Sequence, residues 1–386
     1  MKTNSSKLSI FITVFLAFFT SVVFAADRTA VFTRNGAKPE QSGLEMMYAP
    51  PIAGFINTFP AIVIDPNTGG FSSFSDIPNM FACTGGVIAV DGQFLYVSAP
   101  PNCVQSGGQI FGYTLDPSTG EATPLPGSPF SFEGVISPQG LAATPNGDFL
   151  YLADTGQIDA FSIDRETGVP TPVKGSPFAA GNVPELTVDP SGKVLYAAND
   201  NGAGSVLAFA IGSTGALKRI AGSPFSINAP TAMPSEPTGI VDTGKFVYTA
   251  LYGSNAVAAF SINSRTGALS SVPGSPFPTG NGPGYLALAG NFLYVVNEND
   301  GNVSGFLINS STGALAPVPG SPFGSGGSTL ATDVSGQYLY LSRFDGILGY
   351  DINLETGALS QGAGSLDNDG ALWMTVVQLP PAGDQR

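Results

Sequence analysis

The 386 residues contain no histidine, one tryptophan and two cysteines, and only 14 Lys and Arg against 28 Asp and Glu. Without an imidazole there is no Ser-His-Asp triad and no histidine ligand for zinc. Binding a phosphate backbone needs a basic stripe, and the few cations are scattered, as at Lys38, Arg165, Lys218, Arg219, Arg265 and Arg343, so nucleic acid is excluded as a partner. No glycine-rich loop carries the lysine that would cradle a phosphate, and no cofactor is expected. The formal charge of −14 reads as a solubility device for a protein working outside the cell.

Both cysteines, Cys83 and Cys103, fall in one repeat of a chain bound for an oxidising compartment, and are expected to form a disulfide. The export signal is the start of the chain. Lys2 and Lys7 precede an apolar run from Leu8 to Phe24, and Val23-Phe24-Ala25 offers a cleavage site. Residues 1–25 therefore read as a leader, leaving 26–386 as one domain, secreted or periplasmic. An uncleaved membrane anchor is the alternative, since the run is near spanning length, but Ser and Thr interrupt it and no stable membrane insertion is expected.

What the chain has in abundance is turn residues, with 50 Gly and 32 Pro, and they recur with a period. Tyr48, Tyr96, Tyr151, Tyr196, Tyr248, Tyr294 and Tyr340 are each followed, 17 to 24 residues on, by a Thr-Gly turn ending at Gly69, Gly120, Gly168, Gly215, Gly267, Gly313 and Gly357. A sevenfold period of about 45 to 55 residues, with no helical pattern, predicts an all-β seven-bladed propeller. The fourth unit reads as four antiparallel strands: Glu185–Asp189, Lys193–Ala198, Ser205–Ile211 and Ala216–Ile220, separated by Gly, Pro, Asn and Asp. Its third strand holds a second column, Phe209/Ile211, repeated as Ile62/Ile64, Tyr113/Leu115, Phe161/Ile163, Phe260/Ile262, Phe306/Ile308 and Tyr350/Ile352. A spacing of two puts both side chains on one face, which only a neighbouring blade can cover.

Gly-Ser-Pro-Phe recurs at Gly127, Gly175, Gly222, Gly274 and Gly320, with worn copies at Gly364-Ser365-Leu366 and near Asp76-Ile77-Pro78. A tetrapeptide at one place in successive units is expected to be a strand-ending turn whose Phe fills the gap between blades. At the end of the chain Ala371 to Gln378 matches a first strand with nothing after it, so it is expected to return to blade 1 as its innermost strand and close the ring. Thr29 to Arg34 is then a spare strand or an alternative inner one. A sealed ring has little reason to self-associate, and a monomer is expected.

Short, uniform Pro-x-Gly and Thr-Gly turns mark one face as inert. The other carries loops of unequal length, Pro50 to Pro60, Pro100 to Gln109 and Ser226 to Pro237, where a small molecule, glycan or protein would bind. The acidic stretches Asn297 to Asn302 and Asp367-Asn-Asp-Gly370 leave a surface calcium site open, although the second, with Ser365 and Val376 at ligand positions, is no EF-hand loop.

Gly282-Pro-Gly-Tyr-Leu-Ala-Leu288 and Leu293-Tyr-Val-Val-Asn-Glu298 resemble the lactonase-type seven-bladed propellers, which include 6-phosphogluconolactonase-like enzymes, and the whole repeat is also similar to the tyrosine-valine-threonine-asparagine (YVTN) repeat propellers of microbial surface proteins. The resemblance implies a lactonase fold and, as one functional expectation, lactone hydrolysis. Gly284 and Tyr285 stand where that family reads Arg-His, while Glu298 keeps the place of its acid. The first expectation is accordingly an exported binding scaffold. The alternative is a lactone hydrolase with a carboxylate base, Glu298 or Glu185, helped by Tyr285. Glu185, Glu236, Tyr285 and Glu298 are the residues placed to face the mouth of the ring.

Overall fold

A computed structural model describes residues 43–50, 58–78, 85–100, 108–135, 137–227, 235–324, 326–367 and 374–381. The leader, Thr29 to Arg34, Cys83, Cys103 and Trp373 lie outside these residues, as do positions 368–370 of the second acidic stretch.

Seven antiparallel sheets follow one another, as the two sequence columns predict. Blade 4 shows how the pattern becomes structure. Its strands are Leu186–Val188, Val194–Asn199, Ser205–Ile211 and Leu217–Arg219, within two residues of the boundaries read from its turns. Blade 5 comprises Pro237–Asp242, Phe246–Leu251, Ala256–Ile262 and Leu269–Ser271. Blade 6 comprises Pro283–Ala289, Phe292–Asn297, Asn302–Ile308 and Leu315–Pro317, and blade 7 Thr329–Thr332, Tyr338–Arg343, Gly346–Ile352 and Leu359–Asp367. Blade 3 differs in that one stretch, Phe149–Ile163, supplies both middle positions.

The ring closes as expected. Thr375–Gln378 pairs antiparallel with Glu45–Tyr48, in register Glu45 to Gln378, and so forms the innermost strand of blade 1 ahead of Thr58–Ile64 and Phe71–Pro78. The two ends of the described chain thus share one sheet, and no blade 1 edge is left open toward the axis.

What holds blade to blade is the pair of sequence columns, joined in a way the repeat alone does not show. Each buried tyrosine donates its hydroxyl to the carbonyl of the Thr-Gly glycine in the next blade: Tyr48 to Gly120 (2.9 Å), Tyr96 to Gly168 (2.6 Å), Tyr151 to Gly215 (3.1 Å), Tyr196 to Gly267 (3.0 Å), Tyr248 to Gly313 (2.9 Å) and Tyr294 to Gly357 (2.8 Å). Tyr340 to Gly69 (2.9 Å) completes the circle from blade 7 to blade 1. The residue two before the tyrosine packs on the same glycine: a Cβ at Gly215 would strike Phe149, and one at Gly313 would strike Phe246. These glycines also have positive φ, +79° and +75°, so both the backbone and the space demand glycine. Apolar clusters fill the same gaps, for example Tyr151 and Val173 of blade 3 with Leu195, Leu207 and Phe209 of blade 4.

The Gly-Ser-Pro-Phe turn does more than end a strand. The serine hydroxyl oxygen accepts the backbone N–H in mid third strand, Ser223 from Ala208 (3.0 Å) and Ser275 from Ala259 (2.8 Å), with the same bond at Ser128, Ser176 and Ser321. The chain then rejoins the same edge, Phe225 opposite Val206 and Phe277 opposite Val257. The outer strand is therefore interrupted and resumed. In blades 1 and 7, where the motif is worn, a single longer strand covers the edge instead, with one register shift.

Candidate functional site

The inner strand of blade 6 opens at Gly282, in the left-handed region at φ +65°, and runs through Pro283, Gly284 and Tyr285. The second strand returns to the same face and delivers Glu298 directly above that start, its N–H donating to Gly282 O at 2.8 Å. Glu298 Oε1 occupies the space a Cβ on residue 284 would need. The glycine that replaces the larger residue of the family pattern is therefore what seats the carboxylate. Half-buried there, Glu298 loses hydration of its charged form, and its pKa rises from 4.5 to about 7.

Tyr252, in the 3₁₀ turn Tyr252–Ser254 of blade 5, stands beside it. Burial raises the phenol, the Glu298 carboxylate raises it further, a hydrogen bond to Asn299 Oδ1 (3.1 Å) opposes this, and Glu236 adds a smaller push upward. Glu236 and Glu298 thus both act on the phenol. Glu236 sits at φ +45° before Pro237, its carbonyl accepting Tyr252 N–H at 3.0 Å, and its own pKa is raised by burial and then by Asp200. Amides tie the rim together. Asn255 bridges Asn281 Oδ1 and Gly282 N–H at 2.9 Å each, and Asn281 binds both oxygens of Asp300 at 2.8 Å.

Glu185 and Tyr285 lie deeper, 4% and 6% exposed, and line an axial cavity with Thr329 and the chain at Gly239, Ile240 and Leu286. The cavity is small, ≈ 10 Å³, about the space of one water. It is narrow because the inner strands touch: Thr238 Oγ1 donates to Pro283 O (3.2 Å) and Gly284 O (3.0 Å), and a Cβ on Gly239 would strike Gly284 O. The four sequence-predicted residues accordingly fall into two layers, Glu236 and Glu298 on the rim and Glu185 and Tyr285 beneath, with Gly284 and Tyr285 linking them.

Sequence reading missed Tyr252 and the asparagines 255, 281 and 299, whose only signal was a density of Asn in turns on one face. It also missed Asp154 and Asp159, buried carboxylates of blade 3 bridged by Gln157 Nε2, with Asp159 pushed up to about 6 by burial and by Asp154. In the first acidic stretch, Asn297 donates to Asn302 Oδ1 and Ser304 Oγ, and Asp300 holds Asn281. Among the described residues, no three Asp, Glu or Cys side chains are grouped to hold a metal ion.

Residues 176–274 and 237–331 match the family Lactonase, 7-bladed beta-propeller. No curated protein matches the chain by sequence. Among solved structures, a protein from Bacteroides uniformis named as a 6-phosphogluconolactonase is similar at TM-score 0.72 and 21% identity, over 87% of this chain and 100% of that one. The Pseudomonas aeruginosa periplasmic gluconolactonase is similar at TM-score 0.71 and 17% identity, again over 87% and 100%. A second Bacteroides protein, from Bacteroides fragilis and likewise named as a 6-phosphogluconolactonase, gives 0.70 and 19% over 89% and 100%. At these identities the likeness establishes the fold.

Proposed function

For a chain that is a lactonase-type seven-bladed propeller, we propose hydrolysis of a lactone, with Glu298 as the general base. One observation carries this reading: a half-buried carboxyl, poised near neutrality and held by Gly284 at the mouth of the ring beside a tyrosine hydroxyl. Ionised Glu298 takes a proton from water as the water oxygen bonds to the lactone carbonyl carbon. The Tyr252 hydroxyl turns from Asn299 to the oxyanion that forms. Collapse breaks the ring C–O bond, and the ring oxygen takes the proton back from Glu298, leaving the open hydroxy acid and a regenerated base. The names of the neighbours, one of them a gluconolactonase and periplasmic, support this reading and, with residues 1–25 as leader, an exported enzyme.

Purified protein given a panel of aldonolactones is expected to open at least one faster than buffer does. Absence of turnover on every lactone would refute the reading. The replacement of Arg-His by Gly284-Tyr285 favours a second reading, a propeller that binds a sugar derivative on this rim without converting it. Saturable binding without hydrolysis would select it.

A further inference from the structure

The rim around Glu298 is charged with one sign. Glu298 follows the strand start at Gly282, Glu236 accepts Tyr252 N–H through its carbonyl, both carboxylates act on the Tyr252 phenol, Asp200 acts on Glu236, and Asp300 accepts from Asn281. The cations among the described residues are elsewhere. Arg165 is tied to Asp91 (2.6 Å) and Asp148 (3.4 Å), and with Lys193, Lys245 and Arg265 occupies turns of the opposite face. Lys174, Lys218 and Arg219 belong to outer edges. Among the described residues only Arg343 leaves a second strand on the Glu298 face, and its guanidinium is bonded to Asp345 at 2.7 Å. Outside the described residues, stretches 51–57, 79–84, 101–107, 228–234 and 368–373 carry no Lys or Arg, while 26–42 and 382–386 carry Arg28, Arg34, Lys38 and Arg386.

A phosphate group is held by bidentate arginines, lysines or clustered N–H donors, and like charges placed together at a binding surface are strongly unfavourable. Among the described residues nothing of that cationic kind converges on this rim, and the net charge of −14 repels an approaching dianion from a distance. Side-chain amides and a phenol, by contrast, are donors and acceptors suited to sugar hydroxyls. We infer that the site selects an uncharged lactone of a polyhydroxy acid and rejects its phosphorylated counterpart. This rests on the rim being the lactone site.

The test compares gluconolactone with 6-phosphogluconolactone on the full protein. The neutral lactone is expected to have a kcat/KM at least about tenfold higher. That ratio should shrink as salt screens the rim, and in Glu236→Gln it should shift toward the phosphorylated lactone. Equal or faster turnover of the phosphorylated lactone overturns the selectivity while leaving lactone hydrolysis standing. If neither lactone is opened, hydrolysis is the reading that fails, and calorimetry with glucitol and glucitol 6-phosphate decides the selectivity separately. Binding of glucitol alone supports it; equal binding of the phosphate, or binding of neither, overturns it.

Discussion

At Gly284 a single missing methyl sets the chemistry of a residue fourteen positions away. Gly284→Ala pushes a Cβ into the Glu298 carboxylate, and the side chain must move toward solvent, where its pKa returns toward the ordinary value of 4.5. The expected outcome is a kcat/KM loss of about tenfold or more, with the pH at half-maximal rate shifted downward; an unchanged pH profile would show that the glycine does not position the acid. The sequence displayed Gly284 as a departure from a family pattern and Glu298 as a retained acid, but not that one makes room for the other. Their contact depends on the bulge between Pro283 and Leu286, which shifts the strand register and leaves no trace in residue types. The tyrosine column was equally visible and equally incomplete. Tyr196→Phe should cost about 1–3 kcal/mol in denaturant unfolding, because Gly267 O loses its buried partner in the next blade.

Among the elements, the outer strand separates what repetition reveals from what it hides. Five copies of Gly-Ser-Pro-Phe announced a structural turn, and the half-buried phenylalanines do pack against the interblade clusters. That the strand resumes after the turn was not legible, because pairing with the third strand needs the serine hydroxyl to stand in for a missing ladder bond. Ser223→Ala leaves Ala208 N–H unpaired beside a buried strand and should lower stability by about 1–2 kcal/mol, read as a shift in urea midpoint at constant slope. The variable loops resisted sequence reading for the opposite reason: no repeat constrains Tyr252 or Asn255, so nothing marked them except their number.

Over the whole molecule, closure by Thr375–Gln378 was foreseeable from an orphan first strand, and the seam it makes has an electrostatic consequence. Glu45, 1% exposed, accepts Val334 N–H at 2.9 Å, and burial raises its pKa from 4.5 to about 7, with Asp333 adding to the rise. A raised folded-state pKa means that the folded form holds its proton more tightly than the unfolded chain. The stabilisation is fully present below pH 4.5 and is lost as pH climbs to about 7. Between about pH 4.5 and pH 7 the unfolding free energy should therefore fall, by up to about 3 kcal/mol for Glu45, seen as a falling thermal midpoint, and Glu45→Gln should reduce that dependence. A midpoint that rises over this range would contradict the assignment.

The proposed hydrolysis rests on one carboxylate, and the pH dependence of gluconolactone opening, measured above the buffer rate for wild type and Glu298→Gln of equal thermal stability, interrogates it most directly. Wild-type kcat/KM should climb to a plateau through about pH 7, and the variant should be pH-independent and at least about a hundredfold slower. A variant that keeps the wild-type rate and profile would show that Glu298 is not the base.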